Sequence, residues 1–258
     1  MKTTKRTFNC FDWDDNIVYM PTNIIIFHKK NNEEVSMTTE DFAHFRTYIG
    51  KNKHFYSNDG IFSNNKKYKK CNFKDFEIRG DEYKSLSSFR EFRDCNNKYF
   101  IQHLKEAIEN KSFAPEWEYF IYTLNCKKKS KESYIITARG HAPETIYEGL
   151  KYLKSQDLIK YLVPLKNIFP VSYFNQDNAY SPQEYKLRVI KDIIKKANNI
   201  GGTRVYFSDD DHKTYSFIRE AIYKLKRELC HQVEIVLKYT GTKNSSENLF
   251  RQVFSTND

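Results

Sequence analysis

From Ser133 onward, apolar runs of strand length alternate with longer segments of helical period, and this alternation limits the fold more than any other feature. "SYIIT" reads as a buried strand, and "APETIYEGLKYLKSQ" as a helix with Ile146, Leu150 and Leu153 on one face. "NIFPVSY" reads as a strand again. "SPQEYKLRVIKDIIKKANN" is a helix opened by a Ser181-x-x-Glu184 capping box, with Pro182 in its first position. "RVYFS" is a strand, "KTYSFIREAIYKLKREL" a helix and "VEIVLKY" a last strand. Strands that are apolar on both sides, joined by helices, belong in a parallel sheet covered on both faces. The expected fold is therefore α/β: a three-layer, Rossmann-like parallel sheet with helices on both faces.

The amino-terminal half is less regular. Residues 7–12 read as a short buried strand whose end carries Asp12, Asp14 and Asp15. Apolar runs at 23–27 and 34–37 flank an Asn-rich turn and predict a β-hairpin. "TTEDFAHFRTYI" starts a helix capped by Thr38 or Thr39. Residues 50–80 are polar and aperiodic and read as an irregular excursion. Phe100, Leu104 and Ile108 fall four apart, and "APEWEYFIYTLNCKK" tolerates Pro115 in the first turn of a second helix. The expected division is a core at 1–22 and 131–240, an irregular and helical insertion at 23–130 after the first strand, and a polar tail at 241–258.

Composition narrows the function classes. The chain has 258 residues, 39% of them hydrophobic, which is ample for a packed core. No apolar run is long enough to span a bilayer, and the basic amino terminus has no apolar signal region behind it. The reading is a soluble, cytoplasmic protein without a membrane partner. Five cysteines without a C-x-x-C pair and seven histidines without ligand spacing argue against a disulfide framework or a zinc site. A net charge of +10 favours anionic partners, either a phosphorylated small molecule or nucleic acid. In "KKYKKCNFKDF" lysines interleave with Tyr68, Phe73 and Phe76, a pattern suited to phosphate contacts and base stacking. A solvated loop is the alternative reading of that stretch and of "KKKSK".

Open α/β sheets bind ligands at the carboxyl ends of their strands. There the sequence places Asp12 and Asp14, then Thr137, then Asp209, Asp210 and Asp211, with Lys186 early in the helix before the last of these strands. This series, "FNCFDWDDN", "YIITARG", Lys186 in "SPQEYKLRV" and "VYFSDDD", resembles the four ordered motifs of the haloacid dehalogenase-like (HAD) hydrolases. The resemblance covers residues 7–22 and 133–240, and it makes the stretch between the first two motifs a cap-type insertion. It implies a phosphomonoester hydrolase in which Asp12 is the nucleophile, forming an aspartyl-phosphate, and Asp14 is the general acid and base. It also implies that Thr137 bonds a phosphoryl oxygen and that Lys186 balances charge. A carboxylate cluster repels itself, and a hard divalent cation resolves this. The resemblance implies Mg²⁺, held by Asp12, by the Asp14 carbonyl, and by Asp209 or Asp210. Asn16 replaces the usual Thr and Ser208 the usual Gly; Asn16 and Arg139 are candidate substrate contacts. The alternative is a nucleic-acid-directed protein: a polynucleotide-end phosphatase, or a binding module with a relic site.

Overall fold

A computed structural model of the chain describes residues 6–51, 72–94, 99–174, 180–201, 204–229, 233–241 and 251–254. The chain divides into two compact units, Met1–Met20 with Phe100–Asp258, and Pro21–Tyr99. The first unit opens with β1 (Thr7–Phe11). The second contains β2 (Ile24–His28), β3 (Glu34–Met37), α1 (Thr39–Phe45) and β4 (Phe76–Glu77). Then follow α2 (Tyr99–Glu109), α3 (Trp117–Leu124), α4 (Lys127–Lys131), β5 (Ser133–Thr137), α5 (Pro143–Ser155) and β6 (Ile168–Pro170). The chain continues through α6 (Val171–Phe174), α7 (Pro182–Asn199), β7 (Arg204–Asp209), α8 (His212–Leu229), β8 (Glu234–Tyr239) and β9 (Arg251–Phe254).

The first unit is built on a six-stranded sheet in the order β6-β5-β1-β7-β8-β9. All pairings are parallel except β8 with β9. Side chains alternate across the sheet, as the pleat requires. Phe8 and Cys10 of β1, Val205 and Phe207 of β7, and Ile235 and Leu237 of β8 pack against Ile190 and Ile194 of α7 and Ile218 and Ile222 of α8. Phe11, Tyr206 and Val236 face the other way, toward α2, α3 and α5. The expected α/β architecture with covered faces is present.

Three boundaries differ from the sequence expectation. Residues 100–130, expected in the insertion, belong to the first unit. The physical cause is burial: Phe100 and Leu104 of α2 and Phe120 and Leu124 of α3 cover one face of the sheet beside Ile146 and Leu150. The tail expected from 241 includes β9, which pairs with the outer edge of β8 and buries Phe254. Without it, β8 would present a row of unpaired backbone groups. Finally, β6 stops at Pro170, and Val171–Phe174 is helical rather than extended. Proline cannot donate to a ladder, which suits the end of an edge strand.

Gly149 shows how closely α5 approaches α2. A Cβ at Gly149 would lie 2.6 Å from Phe100 Cε1 and 3.0 Å from Leu104 Cδ2. Gly149→Ala is therefore expected to destabilise the protein by about 1–3 kcal/mol, the usual cost of overpacking, although alanine is the better helix former. A urea midpoint equal to or above that of the unchanged protein would contradict this.

The second unit is a three-stranded antiparallel sheet, β3-β2-β4. Asn32 in the β2–β3 turn has φ +59°, a conformation that Asn tolerates. Thr38 caps α1 by accepting from the Asp41 N–H at 3.0 Å. Ile26, Met37, Phe45, Ile49, Phe73 and Phe76 form its core. Phe73 and Phe76 are each only 7% exposed, so the expectation that they stack on bases does not hold. An aromatic set among lysines reads alike in sequence whether it faces solvent or a core. Tyr68 and the lysines around it lie outside the described residues. Among the described residues, no helix is long and apolar enough to cross a membrane.

Candidate active site

The chain runs outward from β1 to β5 and β6, then crosses to β7 on the other side of β1. Strand order therefore reverses between β1 and β7, and such a reversal opens a crevice at the carboxyl ends of the strands. Asp12 directly follows β1, and Asp209 ends β7. The Asp12 N–H donates to the Ser208 carbonyl at 3.0 Å, carrying the β1–β7 pairing to the edge. Beyond it the chain turns sharply. Asp15 has φ +53°, and the Ile17 N–H donates to the Trp13 carbonyl at 3.0 Å. Trp13 is fully buried against Phe100 and Phe120, a packing role. The Glu116 N–H donates to the Asn16 carbonyl at 2.9 Å, so the segment entering α3 braces this turn.

Asp12, Asp209 and Asp210 each offer an oxygen, all within 4.8 Å of one another. Lys186 reaches them from α7 and is only 3% exposed. Its ammonium donates to Asp209 Oδ2 at 2.8 Å. It lies 3.0 Å from Asp12 Oδ1, an ion-pair contact that leaves this buried oxygen without a well-aligned hydrogen bond. Burial pushes the Asp12 carboxyl up to about 7, against the opposing pull of Lys186. Burial likewise raises Asp209, and raises Asp210 further because Asp12 and Asp209 repel it. Burial disfavours the Lys186 charge, but Asp12 and Asp209 outweigh that and hold the ammonium strongly protonated. Three carboxylates beside one lysine supply a set of hard oxygens, which fits a small divalent cation. Asp209 Oδ1 also accepts the Asp211 N–H at 2.9 Å, so both Asp209 oxygens are engaged. Asp211 stands apart: it caps α8, accepting from the Thr214 N–H and hydroxyl. Burial acts to raise its carboxyl, and these hydrogen bonds outweigh that and lower it.

Beneath the carboxylates lies a frame that sequence reading found only in part. Asn16 is fully buried, and its amide donates to the Asp12 carbonyl at 3.0 Å and to Ser208 Oγ at 3.1 Å. Its Oδ1 accepts from the Thr240 hydroxyl at 2.7 Å. With these bonds made, Asn16 supports the site through its neighbours, the role that a side chain able both to donate and to accept can fill. Thr240, past the end of β8, carried no sequence signal. Gly241 follows it, and a Cβ there would lie 2.1 Å from the Asp210 carbonyl oxygen, so only glycine leaves this loop undisturbed.

Thr137 ends β5, adjacent to β1 in the sheet, and is buried. Its Oγ1 accepts from the Arg139 N–H at 3.3 Å, which leaves its own proton to donate elsewhere. Arg139, expected as a phosphate contact, instead holds Asp14. Its Nε donates to Asp14 Oδ2 at 2.8 Å and its Nη2 to Asp14 Oδ1. Asp14 thus joins the Thr137–Arg139 turn, while Asp12, Lys186, Asp209 and Asp210 form one cluster. Comparisons with models of known protein families, with curated proteins and with solved structures find no match for this chain.

Proposed function

We propose that this protein is a Mg²⁺-dependent phosphomonoester hydrolase of the HAD-like type. The observation that carries this reading is the buried Lys186 ammonium bridging Asp12 and Asp209 beside Asp210, at the strand-order reversal. The motif order supports it, and so does the position of residues 21–99 in the sequence, where such hydrolases carry a substrate-selecting cap. Asp12, Asp209 and Asp210 would hold the cation, which when bound neutralises charge on the phosphoryl oxygens. A carboxylate oxygen of Asp12 attacks phosphorus, and the bond to the ester oxygen breaks. The Thr137 hydroxyl donates to a phosphoryl oxygen, and Lys186 offsets the charge on Asp12. Asp14 gives a proton to the departing alcohol oxygen. It then takes one from the water that attacks the aspartyl-phosphate, releasing inorganic phosphate and restoring Asp12.

The direct test is a phosphatase screen of small phosphomonoesters and phosphorylated DNA ends side by side, with Mg²⁺ or with EDTA. Turnover of a small ester in Mg²⁺, lost in EDTA, is the expected result; no turnover of any substrate would refute the proposal. The cation itself should register without substrate. At Mg²⁺ concentrations near 100 times its dissociation constant, stabilisation should reach about 2.7 kcal/mol. A melting temperature unmoved by Mg²⁺ would count against the carboxylate cluster as its site.

One observation favours the nucleic-acid reading. On α4, Lys129 Nζ sits 3.9 Å from the centroid of the Tyr122 ring, which is 59% exposed, and Lys127, Lys128 and Lys131 are exposed beside it. Faster release of phosphate from DNA ends than from any small ester would make this the better reading.

A further inference from the structure

We propose that Arg139 is the positioning residue that fixes Asp14 as proton donor, and that the site is thereby built for phosphate esters of aliphatic alcohols, which leave poorly without a proton. This rests on the phosphatase reading above and deepens it. The geometry has three parts. The Arg139 guanidinium meets both Asp14 oxygens in a fork, so the carboxylate can neither rotate nor swing away without breaking two charge-assisted bonds. The guanidinium is itself immobilised: its side chain has no exposure, and it lies 5.1 Å from the Phe100 centroid, over a ring packed on Trp13 and His141. Asp14, by contrast, retains 21% side-chain exposure, so it remains reachable from solvent while its partner is sealed.

The fork does not use up the Asp14 carboxylate. Each carboxylate oxygen has two lone pairs, and a bidentate arginine uses one on each. The remaining lone pairs can hold the proton that goes to the ester oxygen as the phosphorus–oxygen bond breaks. A flexible carboxylate would sample many orientations, and proton transfer demands approach to hydrogen-bond distance along one of them. The Arg139 N–H donates to Thr137 Oγ1, so one turn orients both the phosphoryl-binding hydroxyl and the proton donor. Such a fixed donor helps only where the leaving group needs a proton. A nitrophenolate departs as the anion, whereas an alkoxide does not.

The experiment compares kcat/KM for glycerol phosphate and for p-nitrophenyl phosphate, in Mg²⁺, for the unchanged protein, Arg139→Ala, Arg139→Lys and Asp14→Asn. Arg139→Ala should lose about 10²-fold on glycerol phosphate, at the lower end of general-acid contributions, and less than tenfold on p-nitrophenyl phosphate. Arg139→Lys keeps a cation but not the fork, and should fall between. Asp14→Asn should show the same split, and combining it with Arg139→Ala should not widen the split further. Equal losses on both substrates would reduce Arg139 to a structural role and overturn the inference, while leaving the phosphatase reading intact. If Arg139→Ala fails to fold, Arg139→Lys decides the matter by the same ratio. An unchanged protein inactive on both esters would sink both the inference and the reading beneath it.

Discussion

Asp12→Asn should abolish turnover, lowering kcat by roughly 10⁴-fold or more, the scale on which enzymes lose a nucleophile. Asn matches Asp in shape but cannot attack phosphorus. The same change should leave the metal-free fold as stable as before or more so, because it removes a charge from a cluster that repels itself. The pH dependence has a definite sign. The folded-state Asp12 carboxyl sits near 7 against an ordinary 3.8, so the folded state holds its proton more tightly than the unfolded chain does. The stabilisation from that proton is complete below about 3.8 and is lost as pH rises toward about 7. Metal-free Asp12→Asn should therefore gain most over the unchanged protein at neutral pH and above, read as the difference in urea midpoints. A destabilised variant at pH 7.5, or one that still turns over substrate, would contradict the assignment.

Lys186→Met should have the largest effect on stability. The ammonium is the cation that Asp12 and Asp209 share, and all three are nearly or fully buried. Removing one member of a buried ion pair costs about 3–5 kcal/mol, since the abandoned charges stay in the interior. Against the 5–15 kcal/mol typical of a whole protein, that loss endangers folding at ordinary temperature. Two conditions should restore part of it: Mg²⁺, which supplies the missing positive charge, and mild acid, which removes the negative charge. Chemical unfolding at pH 6 and pH 8, with and without Mg²⁺, separates these effects. A midpoint shift worth less than 1 kcal/mol at pH 8 would mean that the lysine is not the principal counter-charge.

The sheet was legible because its strands are apolar on both sides and its connections have helical period. The Ser181–Glu184 capping box was equally plain, and both reciprocal bonds form. The residues that meet at the site were legible through one topological rule applied to strand ends, not through any local signal. What escaped were partners distant in sequence. The amphipathic pattern of Phe100 and Leu104 announces a helix but not which sheet it covers. Arg139 lies two residues past Thr137 and so near the site, yet its partner is 125 positions away, and no local signal separates a carboxylate partner from a phosphate. In β9, four residues within a polar tail form a strand only because β8 offers an edge to pair with.

The amide of Asn16 reaches the tips of β1, β7 and β8 at once, through Asp12, Ser208 and Thr240. Three neighbouring strands are pinned to a single point, like planks through one peg. No strand can then slide lengthwise by itself, and the spacing between Asp12 and Asp209 is set by the sheet and not by loops. The separation of the clustered carboxylates becomes a property inherited from the backbone, hard for a surface mutation to detune and equally hard for selection to adjust piecemeal.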